Sequence, residues 1–293
     1  MIEEYLSRVN INDLIDKIQR FRDLDFKSIS HTDVRNELFN VLSFPAADGN
    51  GVSLCMEHTY TTYDAGQFFY RVRTIPESDS SYPFNAMSKI SDCWEPPADI
   101  SSEGRLNKTG NTLLYTSPGS PVTPINELKI KEGERFSLIV YKSLKPVVAV
   151  NVARQFTTKE LVHKDVDFAT KFSLLNNFIA DEFRRDVGKG TEYLYKISQT
   201  LIEDYFDHPQ QVHDAWLYPS IAHRGTFNVC FRPKMQKKLG FRAAIITKHS
   251  VRDGKIILHP EHIAIKKQGT NKLDYITPAA ALINDLLPGF KAF

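Results

Sequence analysis

Apolar residues along this chain change period several times and never settle into a repeat. Over residues 1–45, Ile2, Leu6, Val9, Ile11, Leu14, Ile15, Ile18 and Phe21 recur at helical spacing, the stripe an amphipathic helix buries. Asn10 or Asn12 is placed to cap a helix there, and Thr32 or Asp33 to cap a second one through Val34, Leu38, Val41 and Leu42. Residues 67–75 switch to period two, with Tyr70, Val72 and Thr74 on one side and Arg71 and Arg73 on the other. Thr112–Thr116, Phe136–Tyr141, Pro146–Val152, Trp216–Ile221, Phe227–Phe231, Phe241–Thr247 and Lys255–Leu258 read as further extended segments. Residues 158–207 read as mostly helical, broken at Gly188-Lys189-Gly190. The Ser-, Pro- and Asp-rich run 76–103 reads as a long surface loop, and Ala46–Gly51 as a linker or turn. Helical and extended patterns are interleaved without a regular βαβ period, which predicts an α+β fold rather than a doubly wound sheet.

Composition narrows the class. A chain of 293 residues has material for one large or two small domains. Its 42% hydrophobic and 25% charged content is that of an ordinary soluble globular protein. A formal net charge of +2 gives no electrostatic argument for a nucleic-acid partner. Cys55, Cys93 and Cys230 are few and widely spaced, so neither a disulfide framework nor a zinc motif is expected. No apolar run approaches the ~20 residues of a membrane span. Met1–Tyr5 lacks the basic-then-apolar pattern of a signal peptide, so a cytoplasmic location is expected. The sequon Asn107-Lys108-Thr109 carries no weight in that setting.

Chemistry concentrates between Gly104 and Glu127. Gly104-Arg105-Leu106-Asn107 and Gly110 make a glycine-flanked turn, a short strand ends on Leu114-Tyr115, and Asn126-Glu127 falls in what reads as a first helical turn opened by Pro121 and Pro124. An arginine fork suits a pyrophosphate, because it donates two parallel bonds and keeps its charge. A tyrosine stacks on a planar ring. A lone glutamate can accept a ribose hydroxyl and stabilise a developing cation. On composition and spacing alone, the competing reading is that Arg71 and Arg105 make surface ion pairs and Tyr115 is core.

Gly104-Arg105-Leu106-Asn107, Gly110, Leu114-Tyr115, Glu127, Tyr218-Pro219-Ser220, then Gly225 and Asn228 before a strand, together with the upstream pair Tyr70-Arg71, resemble the RES-domain family. That family is named for an arginine, a glutamate and a serine. Leu106 stands where the family usually has an aromatic residue, and Glu127 lies one residue further from the tyrosine than is typical. The match covers about residues 67–232. It implies a RES-like domain over 51–293, with residues 1–50 as an N-terminal helical module. It also implies a fold similar to ADP-ribosyltransferase toxins, and NAD as substrate rather than cofactor. Known members are toxins of bacterial toxin–antitoxin pairs that destroy NAD by hydrolysis or phosphorolysis, so inorganic phosphate and a cognate antitoxin are the implied partners. The residues carried over are Glu127, Arg105 and Ser220 as catalytic, and Arg71, Tyr115, Asn107 and Tyr70 as substrate-binding. Two other readings stay open: transfer of ADP-ribose to a macromolecule, and a non-catalytic NAD-binding or interaction protein.

Other motifs carry less. Ser220 with His223 could be a nucleophile and base, but Tyr218 and Ala222 occupy the glycine positions of the Gly-x-Ser-x-Gly elbow. His259, Glu261 and His262 match no metal spacing, and Pro260 makes a turn between strands the expected reading. Gly188-Lys189-Gly190-Thr191 lacks the glycine pattern of a phosphate loop. Arg232, Lys234, Lys237, Lys238 and Arg242 form a basic cluster that reads as a solvated face, with a nucleic-acid contact as the alternative.

Overall fold

The computed structural model describes residues 2–45, 52–54, 56–80, 82–154, 156 and 158–290, so the expected turn at Ala46–Gly51, and Cys55, lie outside the described residues. In chain order the first elements are helices α1 (Ile2–Arg8), α2 (Ile11–Arg22) and α3 (His31–Leu42), then strands β1 (Ser43–Pro45), β2 (Val52–Leu54), β3 (Tyr60–Tyr63) and β4 (Phe68–Thr74). Next come β5 (Leu114–Pro118), α4 (Val122–Glu127), β6 (Phe136–Ser143), β7 (Val147–Asn151), α5 (Thr158–Leu161), α6 (Val166–Phe183) and α7 (Tyr195–Leu201). The chain ends with β8 (Ala215–Pro219), β9 (Phe227–Phe231), β10 (Leu239–Arg252), β11 (Lys255–Lys266), β12 (Leu273–Ile276) and α8 (Ala280–Leu286). The fold is mixed α+β with one large sheet. Strands β1, β2, β3 and β12 and helix α8 are not in the sequence reading, and β1 falls at the end of the stretch read as helical.

The chain divides into two compact units. The first comprises residues 1–60, 102–109 and 150–209, so the N-terminal helices share a unit with two later segments. Three helices form where two were expected. Asn10 caps α2, its side chain accepting from the Asn12 and Asp13 amides at 2.8 and 3.4 Å. The cap of α3 is Ser30 rather than Thr32 or Asp33. Its hydroxyl accepts from the Asp33 amide, and Asp33 reaches back to the Ser30 amide, the reciprocal pairing that satisfies two otherwise orphan donors. Buried Lys171 on α6 donates to the Leu6 carbonyl at 3.1 Å and to Asp167 at 2.5 Å, tying α1 to α6.

The second unit, residues 61–101, 110–149 and 210–293, is built on a ten-stranded sheet of order β12-β11-β10-β6-β4-β5-β9-β8-β7-β3. Strand β6 is an almost continuous apolar run because both its faces are buried. Phe136, Leu138 and Val140 face one way, joined by Tyr70, Val72, Ile125 of α4, and Ile283 and Leu286 of α8. Ile139 and Tyr141 face the other way with Phe69, Leu114, Val229 and Phe231. The segment after β4 is not the surface loop expected. Phe84, Met87 and Cys93 from it are buried in that second face. Its acidic residues make tight turns instead: Asp79 accepts from the Asn85 and Ala86 amides at 2.9 and 2.7 Å, and Asp92 from those of Ser88 and Lys89 at 3.0 and 2.8 Å.

His259, Pro260, Glu261 and His262 lie inside β11, not in a turn. Pro260 stands opposite Thr247, where the β10–β11 register shifts, a place where a missing amide proton costs no ladder bond. The turn comes earlier, at Asp253-Gly254, between the paired Arg252 and Lys255. Both turn residues have positive φ, 50° and 70°, the geometry of a two-residue hairpin loop.

His249 of β10 is buried against Phe136, and its Nδ1 has no hydrogen-bond partner among the described residues. Burial lowers its pKa, with Glu132 and Glu134 acting the other way. The folded form thus resists the proton that the unfolded chain accepts near about 6.5. Stability is complete above that pH and is lost as pH falls from there through the lower folded value. Denaturant titrations between pH 8 and pH 5 are expected to find this slope, and His249→Phe is expected to flatten it.

Candidate functional site

Glu127 is the last residue of α4, not part of its first turn. The helix dipole disfavours a carboxylate at that end. Compensation comes from two strands of the same unit. Ser220, just past β8, donates from Oγ to Glu127 Oε1 at 2.5 Å. Asn228 of β9 donates from Nδ2 to the same oxygen at 2.8 Å. Both donors converge on Oε1, and among the described residues Oε2 receives none. Ser220 and Asn228 are buried, whereas Glu127 is half-buried. The carboxylate therefore has one pinned oxygen and one with no donor among the described residues.

Proton directions follow. Ser220 Oγ receives the His223 backbone amide at 3.0 Å, so its one proton goes to Glu127. The loop is closed by the Ser220 amide on the Thr226 carbonyl at 2.9 Å. The His223 ring is turned to α4, with Nδ1 3.0 Å from Thr123 Oγ1. Ser220 is thus a donor to an acid, with no imidazole on its hydroxyl, and the nucleophile-and-base reading loses its geometry.

Tyr115 lies on β5, directly opposite Cys230 of β9. Burial pushes the Cys230 thiol well above its ordinary pKa, and the nearby Arg71 charge and Tyr115 act to lower it. Arg71 donates to the Trp94 carbonyl and also faces buried Tyr141. Arg71 and Tyr115 are therefore both neighbours of Cys230, which lies two residues along β9 from Asn228 and on the same face. Tyr70 is placed differently. It is 1% exposed, its hydroxyl donates to the Leu286 carbonyl at 3.3 Å, and burial raises its pKa to about 12. It supports the sheet face under α8 and offers no surface to a ligand.

Arg105 and Asn107 belong to the first unit. Arg105 donates from Nη1 to the Phe183 carbonyl at 2.8 Å and from Nη2 to the Arg185 carbonyl at 2.9 Å. These are carbonyls at the C-terminal end of α6, which lack partners within the helix and carry the negative end of its dipole. Asn107 is buried and donates to the Ser102 and Lys108 carbonyls. Gln199 of α7 donates to Glu103 and to the Gly104 and Asn107 carbonyls. Gly110 takes φ 85°, as the glycine-flanked turn requires. Leu106 is buried. The arginine-bearing turn is thus held by the ends of two helices.

The remaining motifs have ordinary partners. His259 meets Ser250 at 2.7 Å, Glu261 pairs with Arg135 at 2.6 Å, and His262 stacks near Tyr82. No group of metal-ligating side chains is present among the described residues. In the basic cluster, Arg232 lies over the Trp216 ring and bonds His213, while Lys238 bonds both oxygens of buried Asp214 at 2.7 Å. Two of its five charges thus have internal partners. No described helix is long and apolar enough to cross a membrane.

Sequence reasoning named Glu127 and Ser220 and found them apart by 93 positions; the structure brings them into contact. It missed Asn228 as a partner of Glu127, and it missed Ser117. Period two would have found Ser117, since it follows Tyr115 by two on β5 and so shares its face. Comparison of the chain with protein-family models, with curated proteins and with solved structures finds no match in any of the three.

Arg105→Ala removes two charged hydrogen bonds from the end of α6. Unfolding free energy is expected to fall by about 3 kcal/mol, the low end for two hydrogen bonds to a charged group at roughly 1.5–3 kcal/mol each. Arg105→Lys is expected to recover less than half, because an ammonium lacks the planar fork. Denaturant midpoints at unchanged slope are the measurement.

Proposed function

We propose that this chain cleaves the nicotinamide N-glycosidic bond of NAD by hydrolysis or phosphorolysis. The supporting observation is the half-satisfied carboxylate: Ser220 and Asn228 pin Glu127 Oε1 and leave Oε2 to accept. The resemblance of residues 67–232 to the RES-domain family supports the choice of substrate.

The chemistry needs one carboxylate. Nicotinamide in NAD is already cationic, so it departs with the bonding electron pair and no general acid, unlike an ordinary glycoside that uses two carboxyl groups. Glu127 Oε2 would accept a hydroxyl of the nicotinamide ribose and stabilise the oxocarbenium-like transition state electrostatically. Ser220 acts on that ribose through Glu127, because its hydroxyl proton is already donated in a hydrogen bond to the carboxylate. Arg71 is the proposed grip on the pyrophosphate and Tyr115 a wall of the pocket. Arg105, whose Nη1 and Nη2 serve α6, is given a supporting role. Water as acceptor yields ADP-ribose, nicotinamide and a proton; phosphate yields the ADP-ribose phosphate ester. In a cell either reaction would deplete NAD and arrest growth, and a cognate antitoxin is the partner such an activity calls for.

Purified protein incubated with NAD is expected to release free nicotinamide, followed by chromatography with and without phosphate. Glu127→Ala is expected to lose about a hundredfold or more in rate, the scale of removing a transition-state stabiliser, with its circular dichroism unchanged. Absence of nicotinamide release by the wild-type protein, or an undiminished rate in Glu127→Ala, overturns the reading. Label from NAD appearing on a macromolecule would favour ADP-ribosyl transfer instead.

A further inference from the structure

We propose that Ser117 is a positioning residue for the Glu127 carboxylate, and that it acts by fixing the orientation of the Asn228 amide. Ser117 Oγ donates to Asn228 Oδ1 at 2.7 Å, and Asn228 Nδ2 donates in turn to Glu127 Oε1 at 2.8 Å. Ser117 and Asn228 are 1% and 6% exposed, so water does not complete their bonding. A carboxamide can turn over and exchange its oxygen and nitrogen. Reversed, Asn228 would set its carbonyl oxygen against an ionised carboxylate, two acceptors facing each other. In the observed orientation the amide oxygen must find a donor within the protein, and Ser117 supplies it.

The scaffold places this hydroxyl firmly. Ser117 is paired with Tyr70 of β4 on one side, and Asn228 lies on β9 at the other. Neither residue sits on a free loop, and rigid strands hold a site more accurately than loops do. From the far side, the His223 amide donates to Ser220 and Ser220 donates to Glu127. Every donor in the chain Ser117, Asn228, Glu127, Ser220, His223 thus points inward to one oxygen. Bonds aligned in one direction polarise one another. Removing the outermost member releases the amide, and through it the direction in which Oε2 is held.

The kinetic part of this inference rests on the NAD-cleaving reading; the spectroscopic part does not. In the ¹⁵N-labelled full chain, the Asn228 side-chain amide signal is identified by its loss in Asn228→Ala. Its exchange with solvent is expected to be slow in the wild type and to quicken about tenfold or more in Ser117→Ala. An unchanged exchange rate overturns the proposal. With NAD as substrate, Ser117→Ala is expected to lower kcat about tenfold with little change in KM. The double variant Ser117→Ala with Asn228→Ala is expected to be no slower than Asn228→Ala alone, because Ser117 acts only through the amide. Additive losses overturn the proposal. Ser117→Cys, which keeps the volume and a weak donor, is expected to fall between wild type and Ser117→Ala in both measurements; a Ser117→Cys amide exchanging at the wild-type rate with kcat fully lost would overturn it. If the wild type releases no nicotinamide, the NAD reading falls while the amide measurement still decides the role of Ser117.

Discussion

A carboxylate at the last residue of a helix meets the negative end of the dipole, and donors from elsewhere offset that cost. Glu127 has two, one from just past β8 and one from β9. The helix itself is held by Ile125, which sits in the apolar face under α8 with Tyr70 and Val140. The position of the acidic oxygen therefore depends on three things at once: core packing of α4, the end of β8 and the register of β9. That dependence makes the carboxylate a group of the sheet rather than of a loop. It also explains why one oxygen can be held while the other is left open.

The ends of α4 and α6 handle charge in opposite ways. At α6 the chain supplies a cation, and the Arg105 guanidinium completes carbonyls that the helix cannot. At α4 it places an anion where the dipole repels it, and brings hydroxyl and amide donors to compensate. The first arrangement follows the usual preference and stabilises. The second runs against it, as functional groups often do, since local rules are most often broken where a site is built.

Much of the scaffold was legible. The alternation of 67–75 became β4, and the apolar run from Phe136 became β6. The class followed from irregular interleaving alone. What escaped had physical reasons. Leu273–Ile276 is four residues long, too short for a period to stand out. Phe84, Met87 and Cys93 are scattered among Ser, Pro and Asp, so nothing local marks them as core; only the sheet they cover does. Pro260 read as a turn because its tolerance at a register shift depends on the partner strand. Glu127 and Ser220 were paired by resemblance, not by spacing, since no periodicity links residues 93 positions apart. The bonds of Arg105 to the Phe183 and Arg185 carbonyls were not legible, because a free guanidinium and one that reaches a helix end have the same sequence signature.

The hairpin of β10 and β11 has one more consequence. Its strands are joined by two residues, Asp253 and Gly254, already in the twisted geometry that the pair needs. Closing it requires almost no search through chain conformations, whereas pairing β5 with β9 joins Leu114 to Phe231 across more than a hundred residues. Kinetically, then, the sheet has a cheap end and an expensive one. The hairpin can nucleate locally, and the strands that carry Ser117 and Asn228 must wait for a far longer loop to close.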